Sequence, residues 1–325
     1  GTTASTLLVA AYAVTTSVWL LFLLQIAVGF VRPLAWVGSQ SFVSGLRDGA
    51  DRARDTGRLS FVATGAQIVA PLLVGFGAQA FGTGPAFFVF AGYCALFVII
   101  GLFLPHGSDA RSAGATKRRG FTDGAQLLRI RGIRVVMYLS GARLWINNAW
   151  VSFFPLLLVT SGVAEGTAST VVSSMAVVGT ILSPMSGRLA QRFKVESLTA
   201  FSLASGATGL VLAPWLDSIP QAYLSAFLLG IGHGISLPML LVLVSKSAPP
   251  EQRGLALGLR SSVNQAAAAL APPVVAAVIG ATAAVVGFPL AGAVGFALVG
   301  SAVLTWRRGD AEAGAGAPAG TKPSP

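Results

Sequence analysis

Charge is what this chain has least of. Only 10% of its 325 residues are charged, against about 25% in a soluble domain. That leaves too little polar surface to cover a water-facing globule. With 54% hydrophobic residues and a mean hydropathy of +0.75, most of the chain must have lipid as its solvent. Cysteine is nearly absent too. Cys94 stands alone inside an apolar block, which excludes a disulfide framework and a cysteine-built metal site and makes the thiol a small packed side chain. Two histidines, no HExxH pattern and no carboxylate pair in an apolar block argue against metal-dependent or hydrolytic chemistry. Neither an enzymatic activity nor a cofactor is expected. The net charge is +11, but the basic residues are spread over loops between apolar blocks. Membrane orientation explains that spacing and nucleic-acid binding does not. The expected partner is a lipid bilayer, not nucleic acid.

What is present is a series of apolar blocks of about twenty residues, the length that crosses a bilayer. The blocks are continuous and lack the two-residue alternation of barrel strands, so the expected fold is an all-α membrane protein. Residues 1–46 hold one charge, Arg32, and are too many for one crossing. Thr15-Thr16-Ser17 divides them into a first span ending near Val14 and a second from Val18 to about Leu46. A charged loop, Arg47 to Arg58, precedes a third span over Leu59–Ala80 and a fourth over Pro85–Leu104. Further spans are expected near 135–159, 167–187, 195–215, 220–244, 254–280 and 284–306. Between the fourth and fifth lies the one long polar stretch, Pro105–Arg134, with seven Lys/Arg against two Asp. The chain thus divides into a membrane region over residues 1–104, a linker over 105–134, a six-span region over 135–306 and a Gly/Ala/Pro-rich tail over 307–325 expected to be disordered.

The basic residues orient these spans. Alternate loops, at 47–58, 105–134, 188–194 and 245–253 together with the tail, carry nineteen of the twenty-two Lys/Arg. The intervening turns carry none, and Arg32, Arg143 and Arg260 fall inside spans. The basic set, including the linker and the C-terminus, is expected in the cytoplasm of a multi-pass plasma-membrane protein. Trp19 and Trp215 then fall near the outer interface and Trp306 near the inner one, where amphipathic indoles gather.

The chain repeats weakly at an offset of 201. Gly29 matches Gly230, Ser44 matches Ser245, Arg52 matches Arg253, Ser60 matches Ser261, Val62 matches Val263, and Ala70-Pro71 matches Ala271-Pro272. At this offset Arg32 falls on His233. The run Gly187-Arg188-Leu189-Ala190-Gln191-Arg192-Phe193-Lys194 resembles the G-x-L-a-D-R-x-x-R loop of the major facilitator superfamily of secondary transporters, with Gln191 where that family usually has Asp. Pro249-Pro250-Glu251-Gln252-Arg253-Gly254-Leu255-Ala256-Leu257-Gly258 resembles the family's P-P-E-x-R-G-x-A-x-G sequence. The resemblance reaches to about residue 306. It implies two six-helix halves joined by a cytoplasmic loop. The ten spans here then correspond to helices three to twelve, with two more expected upstream in an incomplete first half. Gln25 precedes Gly29 at the spacing of the Arg-x-x-x-Gly often found on the fourth helix, and Ala70-Pro71-Leu72-Leu73-Val74-Gly75 is a degenerate form of the exporters' G-P-x-x-G-G.

An arginine facing lipid costs roughly 2.5–3.5 kcal/mol on insertion scales and stays charged. The in-span arginines should therefore face a wet cavity or a partner. The resemblance places Arg32, Arg143 and His233 on helices expected to line a central cavity. At 1.5 Å per residue Arg143 lies roughly 12 Å inside its span, and Asn147 and Trp150 follow on the same face. Arg143, Asn147, Arg32, His233, Trp150 and Gln25 are the expected substrate contacts. Gly187, Arg188, Arg192, Arg253, Arg260, Asn264 and Pro71 are the expected gating positions, and Arg260-Asn264 repeats the Arg-x-x-x-Asn of Arg143-Asn147. No Asp or Glu lies in the interior of a span. That favours a small organic anion as substrate and leaves proton coupling to an upstream carboxylate or to His233. The expected function is a monomeric secondary transporter working by alternating access. The alternatives are a proton-driven drug exporter of the same superfamily, which needs an apolar cavity, and a membrane sensor that binds without transport.

Overall fold

The computed structural model describes residues 2–15, 17, 19–28, 31, 49–102, 124, 126–215, 218–249 and 252–315. Among the described residues there are helices and turns and no strand. Ten helices run in order among them: α1 Thr2–Val14, α2 Trp19–Val28, α3 Gly49–Phe81, α4 Thr83–Leu102, α5 Arg131–Thr160, α6 Glu165–Arg192, α7 Val195–Leu212, α8 Ile219–Ser247, α9 Arg253–Ala281 and α10 Ala284–Ala315. The last six are each long and apolar enough to cross a membrane, and Thr3–Val14, Trp19–Val28, Gly65–Phe81 and Gly84–Leu96 are shorter apolar stretches. A lipid solvent explains why the described spans are helical: only a helix or a closed barrel satisfies its own backbone there.

Two boundaries differ from the sequence expectation. The segment 47–58, expected to be a loop, is helical from Gly49 and continues into α3. Its Ala and Arg residues favour helix, and a helix needs no apolar face once it leaves the hydrocarbon. The tail expected to be disordered from 307 is helical to Ala315, because Arg, Ala and Glu sustain the helix and no proline interrupts before Pro318. The linker between residues 103 and 123, the second span beyond Val31 and the tail beyond Ala315 lie outside the described residues.

The chain forms two compact units, one of residues 1–116 with 158–173 and one of 117–157 with 174–325. In the first unit α4 packs on both α1 and α3. The Tyr12 ring stacks on Phe87 with centroids 5.9 Å apart. The first turns of α6, just after the α5–α6 turn, are pinned to α3 by two hydrogen bonds: the Gly166 N–H donates to Gln79 Oε1 at 3.1 Å, and the Ser173 hydroxyl to the Ile68 carbonyl at 2.8 Å. That turn needs Gly162, whose φ of +88° is a left-handed conformation side chains resist.

In the second unit α7 and α8 are the most closely packed pair, and α10 closes on α7. Its core is aromatic. Trp150 stacks on Phe154 at 4.7 Å, and Phe154 meets Phe288 edge-on at 6.5 Å. The Trp145 indole N–H donates to the Ala291 carbonyl at 2.9 Å, tying α5 to α10. Phe201, Ile181 and Leu304 are all at least 60% exposed. In a membrane protein such a surface faces acyl chains rather than water.

Candidate functional site

The site starts with three glycines on α8. A Cβ added at Gly234 would sit 2.5 Å from the Gly179 carbonyl oxygen of α6, and one at Gly230 would sit 2.6 Å from Val178 of the same helix. A Cβ at Gly232 would lie 3.0 Å from the Ser202 carbonyl oxygen of α7. Gly230 and Gly234, four residues apart, thus bring α6 against α8, and Gly232 brings α7. Between them His233 is held at the contact, with its ring 3.2 Å from where a Gly179 Cβ would stand.

Arg143 of α5 reaches the same place. Its Nη2 donates to His233 Nδ1 at 3.4 Å, near the long limit for such a bond. Nδ1 accepts, so in this contact it carries no proton. Ser140, Arg143 and Asn147 share one face of α5 at spacings of three and four residues. Each has a buried polar atom without a hydrogen-bond partner among the described residues: Ser140 Oγ, Arg143 Nε and Asn147 Oδ1. Arg260 Nε and Nη1, Asn264 Oδ1 and Ser236 Oγ are in the same state. Buried groups left unpaired are uncommon because each costs about 1–3 kcal/mol. All of them lie in the second unit.

A small cavity of about 10 Å³ opens between α5, α7 and α8, lined by Arg143, Asn147, Gly206, Gly232 and His233 among others. That is room for about one water, far short of the roughly 300 Å³ of a small-molecule site. In this conformation the space beside the polar cluster is too small for a solute.

Of the expected substrate contacts, Arg143, Asn147 and His233 come together. Trp150 does not join them. It is fully buried, and its indole N–H donates to Ser225 Oγ at 2.9 Å while that hydroxyl donates to the Gly209 carbonyl at 2.9 Å. It packs α5 onto α7 and α8. Trp150→Phe should therefore lower the melting temperature by the equivalent of about 1 kcal/mol and leave the transport KM unchanged; a KM change without a melting shift would return Trp150 to the binding surface. Gln25 lies on α2 in the first unit, where its Oε1 accepts the Tyr12 hydroxyl at 2.7 Å. Arg32 lies outside the described residues.

Of the expected gating positions, Gly187 and Arg188 are exposed near the end of α6, Arg253 is exposed at the start of α9, and Pro71 is inside α3. Arg192 lines an open groove of about 490 Å³ with Lys194, Lys246 and Trp306. There Lys194 Nζ sits 5.3 Å above the Trp306 ring. Arg260 and Asn264 are half-buried. Ser140 and Ser236 were missed from sequence; the available signal was their position three residues from Arg143 and His233.

The sequence pattern of the Major Facilitator Superfamily matches residues 1–272 and, in a second alignment, 148–323. The chain belongs to the Major Facilitator Superfamily. Solved structures of superfamily transporters share its fold. The nucleoside transporter NupG superposes with a TM-score of 0.77 at 17% identity, covering 94% of this chain and 81% of that one. A bacterial homologue of the human lysosomal transporter Spinster, in an inward-facing and unoccupied conformation, superposes with a TM-score of 0.66 at 14% identity, covering 94% and 79%. At these identities the likeness is one of fold. No curated protein matches the chain by sequence. This facilitator-superfamily chain is thus a membrane-embedded, multi-pass transporter protein.

Proposed function

We propose that the protein is a secondary active transporter of the plasma membrane that moves a small organic anion by alternating access. The observation that carries this reading is Arg143, a half-buried cation inside a span whose buried Nε has no partner among the described residues. Beside it stand an amide, Asn147, and an imidazole, His233. A permanent charge kept at this cost implies something negative to meet it in another state. A cavity of only about 10 Å³ suits one step of a cycle in which helices must separate before a solute enters. Arg32, by its match to His233 in the repeat, is a further candidate contact, and the loop positions Arg188, Arg192 and Arg253 are candidates for gating. The basic loops set the cytoplasmic side.

The test is uptake by the complete protein in proteoliposomes, with labelled mono- and dicarboxylates, nucleosides and lipophilic cations offered separately, with and without an inward proton gradient. Saturable uptake of an anion, accelerated by the gradient, is expected. Transport of lipophilic cations alone would replace this reading with that of a drug exporter. Binding without movement of any solute would leave a sensor.

A further inference from the structure

Arg192, Lys194, Lys246 and Trp306 come from the ends of four helices and line one open groove of about 490 Å³. None stands more than two residues from the end of its membrane-crossing stretch, these being Glu165–Arg192, Val195–Trp215, Ile219–Ser247 and Ala284–Arg308. The groove therefore lies at the rim of the bilayer, where headgroups sit, and not in the hydrocarbon. By the orientation proposed above, this rim is the cytoplasmic one. The half-buried indole of Trp306 suits that level.

The groove is one-sided in charge. Its lining holds three cations against one carboxylate, Glu196. All three cations are exposed, and no side-chain hydrogen bond or ion pair engages Arg192 or Lys246 among the described residues. Lys194 is held over the Trp306 ring at 5.3 Å, which fixes the ammonium without neutralising it. The groove also has an apolar side. Phe193, in its lining, is 57% exposed. Ser197 and Phe201 follow Lys194 at three and seven residues, on one exposed face of α7 that runs from the rim into the hydrocarbon. A soluble anion gains nothing from that face. A lipid, charged at one end and apolar at the other, matches both parts.

We propose that this groove binds the headgroup of an anionic phospholipid. The planar fork of Arg192 suits a phosphodiester, Lys194 and Lys246 add positive charge, and an acyl chain lies along Phe201. Basic pockets between spans on the cytoplasmic side take such headgroups. Glu196 works against the phosphate and limits the affinity. None of these residues lines the cavity beside Arg143, so the lipid site holds whatever solute is transported.

The experiment titrates the purified, delipidated complete protein with phosphatidylglycerol, with phosphatidylcholine of the same chains, and with glycerol phosphate. Binding is read by native mass spectrometry and by thermal shift. Phosphatidylglycerol should bind about tenfold more tightly than phosphatidylcholine. Arg192→Gln and Lys246→Gln should each weaken it by about fivefold, and Glu196→Gln should strengthen it by a similar factor. Arg134→Gln, an exposed position at the start of α5 outside the groove, should leave it unchanged. Equal affinity for the two lipids overturns the proposal. An equal loss in Arg134→Gln does so too, because the attraction would then be diffuse. Glycerol phosphate binding as tightly as phosphatidylglycerol would make this a site for a soluble phosphate and not for a lipid. Glu196→Gln decides the matter if the basic variants fold poorly: a gain in affinity supports the site, and no gain overturns it.

Discussion

Replacing Arg143 by methionine is expected to cut transport sharply and to make the empty protein harder to unfold. The two effects have one cause. The guanidinium has a buried Nε without a partner among the described residues and one long hydrogen bond to His233. In the empty protein it is therefore a net cost: an unsatisfied buried polar atom is worth about 1–3 kcal/mol, and exchanging uncompensated buried charge for a packed apolar side chain of similar volume often stabilises by about 1–4 kcal/mol. Methionine fills nearly the same space with no polar atom. The melting temperature of the ligand-free variant should rise by several degrees. Uptake should fall by about 10- to 100-fold, the size of a lost charged hydrogen bond. Arg143→Lys keeps the charge but not the planar fork and should recover only a fraction of the uptake. A methionine variant that melts below the wild type would mean that Arg143 is held by a structural partner, and the binding role would have to be withdrawn.

The second large effect is expected at Gly234. Gly234→Val should leave little folded, monodisperse protein. The atom a new Cβ would meet is the Gly179 carbonyl oxygen, at 2.5 Å, with the Gly179 Cα at 2.8 Å. Neither can rotate away, because both belong to the backbone of α6. The helices would have to separate along their whole contact, which also carries Gly230 against Val178. Overpacking a tight contact costs about 1–3 kcal/mol even where side chains yield, and here none can. Gly258 on α9 is the control: a Cβ there meets nothing within 4 Å, so Gly258→Ala should be neutral or stabilising by up to about 1 kcal/mol. Size-exclusion profiles and melting curves of the purified variants decide it. A well-folded valine variant would show that α6 and α8 are looser than their geometry.

The contrast between these two positions shows what could be read in advance. Arg143 was visible as a charge in an apolar block, because burying an ion is costly enough to mark a site from composition alone. Its neighbour Asn147 followed from helical spacing. Gly234 was visible only as one glycine among 39, since a glycine does not disclose which backbone it faces. Trp150 shows the opposite failure. Its spacing from Arg143 put it on the binding face, yet its N–H is satisfied by Ser225, a residue 75 positions away that no local pattern connects to it.

By itself the sequence determined that this protein is a bundle of membrane-crossing helices, where most of the crossings fall, which loops share a side and which few buried charges must have a purpose. These follow from solvation: about twenty apolar residues, an isolated arginine or a basic loop carry their free energy with them, whatever their neighbours. The tertiary structure alone decided which faces meet. Helix contacts in a bilayer depend on shape, on small residues letting backbones approach and on single hydrogen bonds finding partners. Those terms are short-ranged and belong to pairs of residues far apart in the chain, so the joining of Arg143 to His233, the burial of Trp150 and the close approach of Gly234 to Gly179 existed only once the helices had packed.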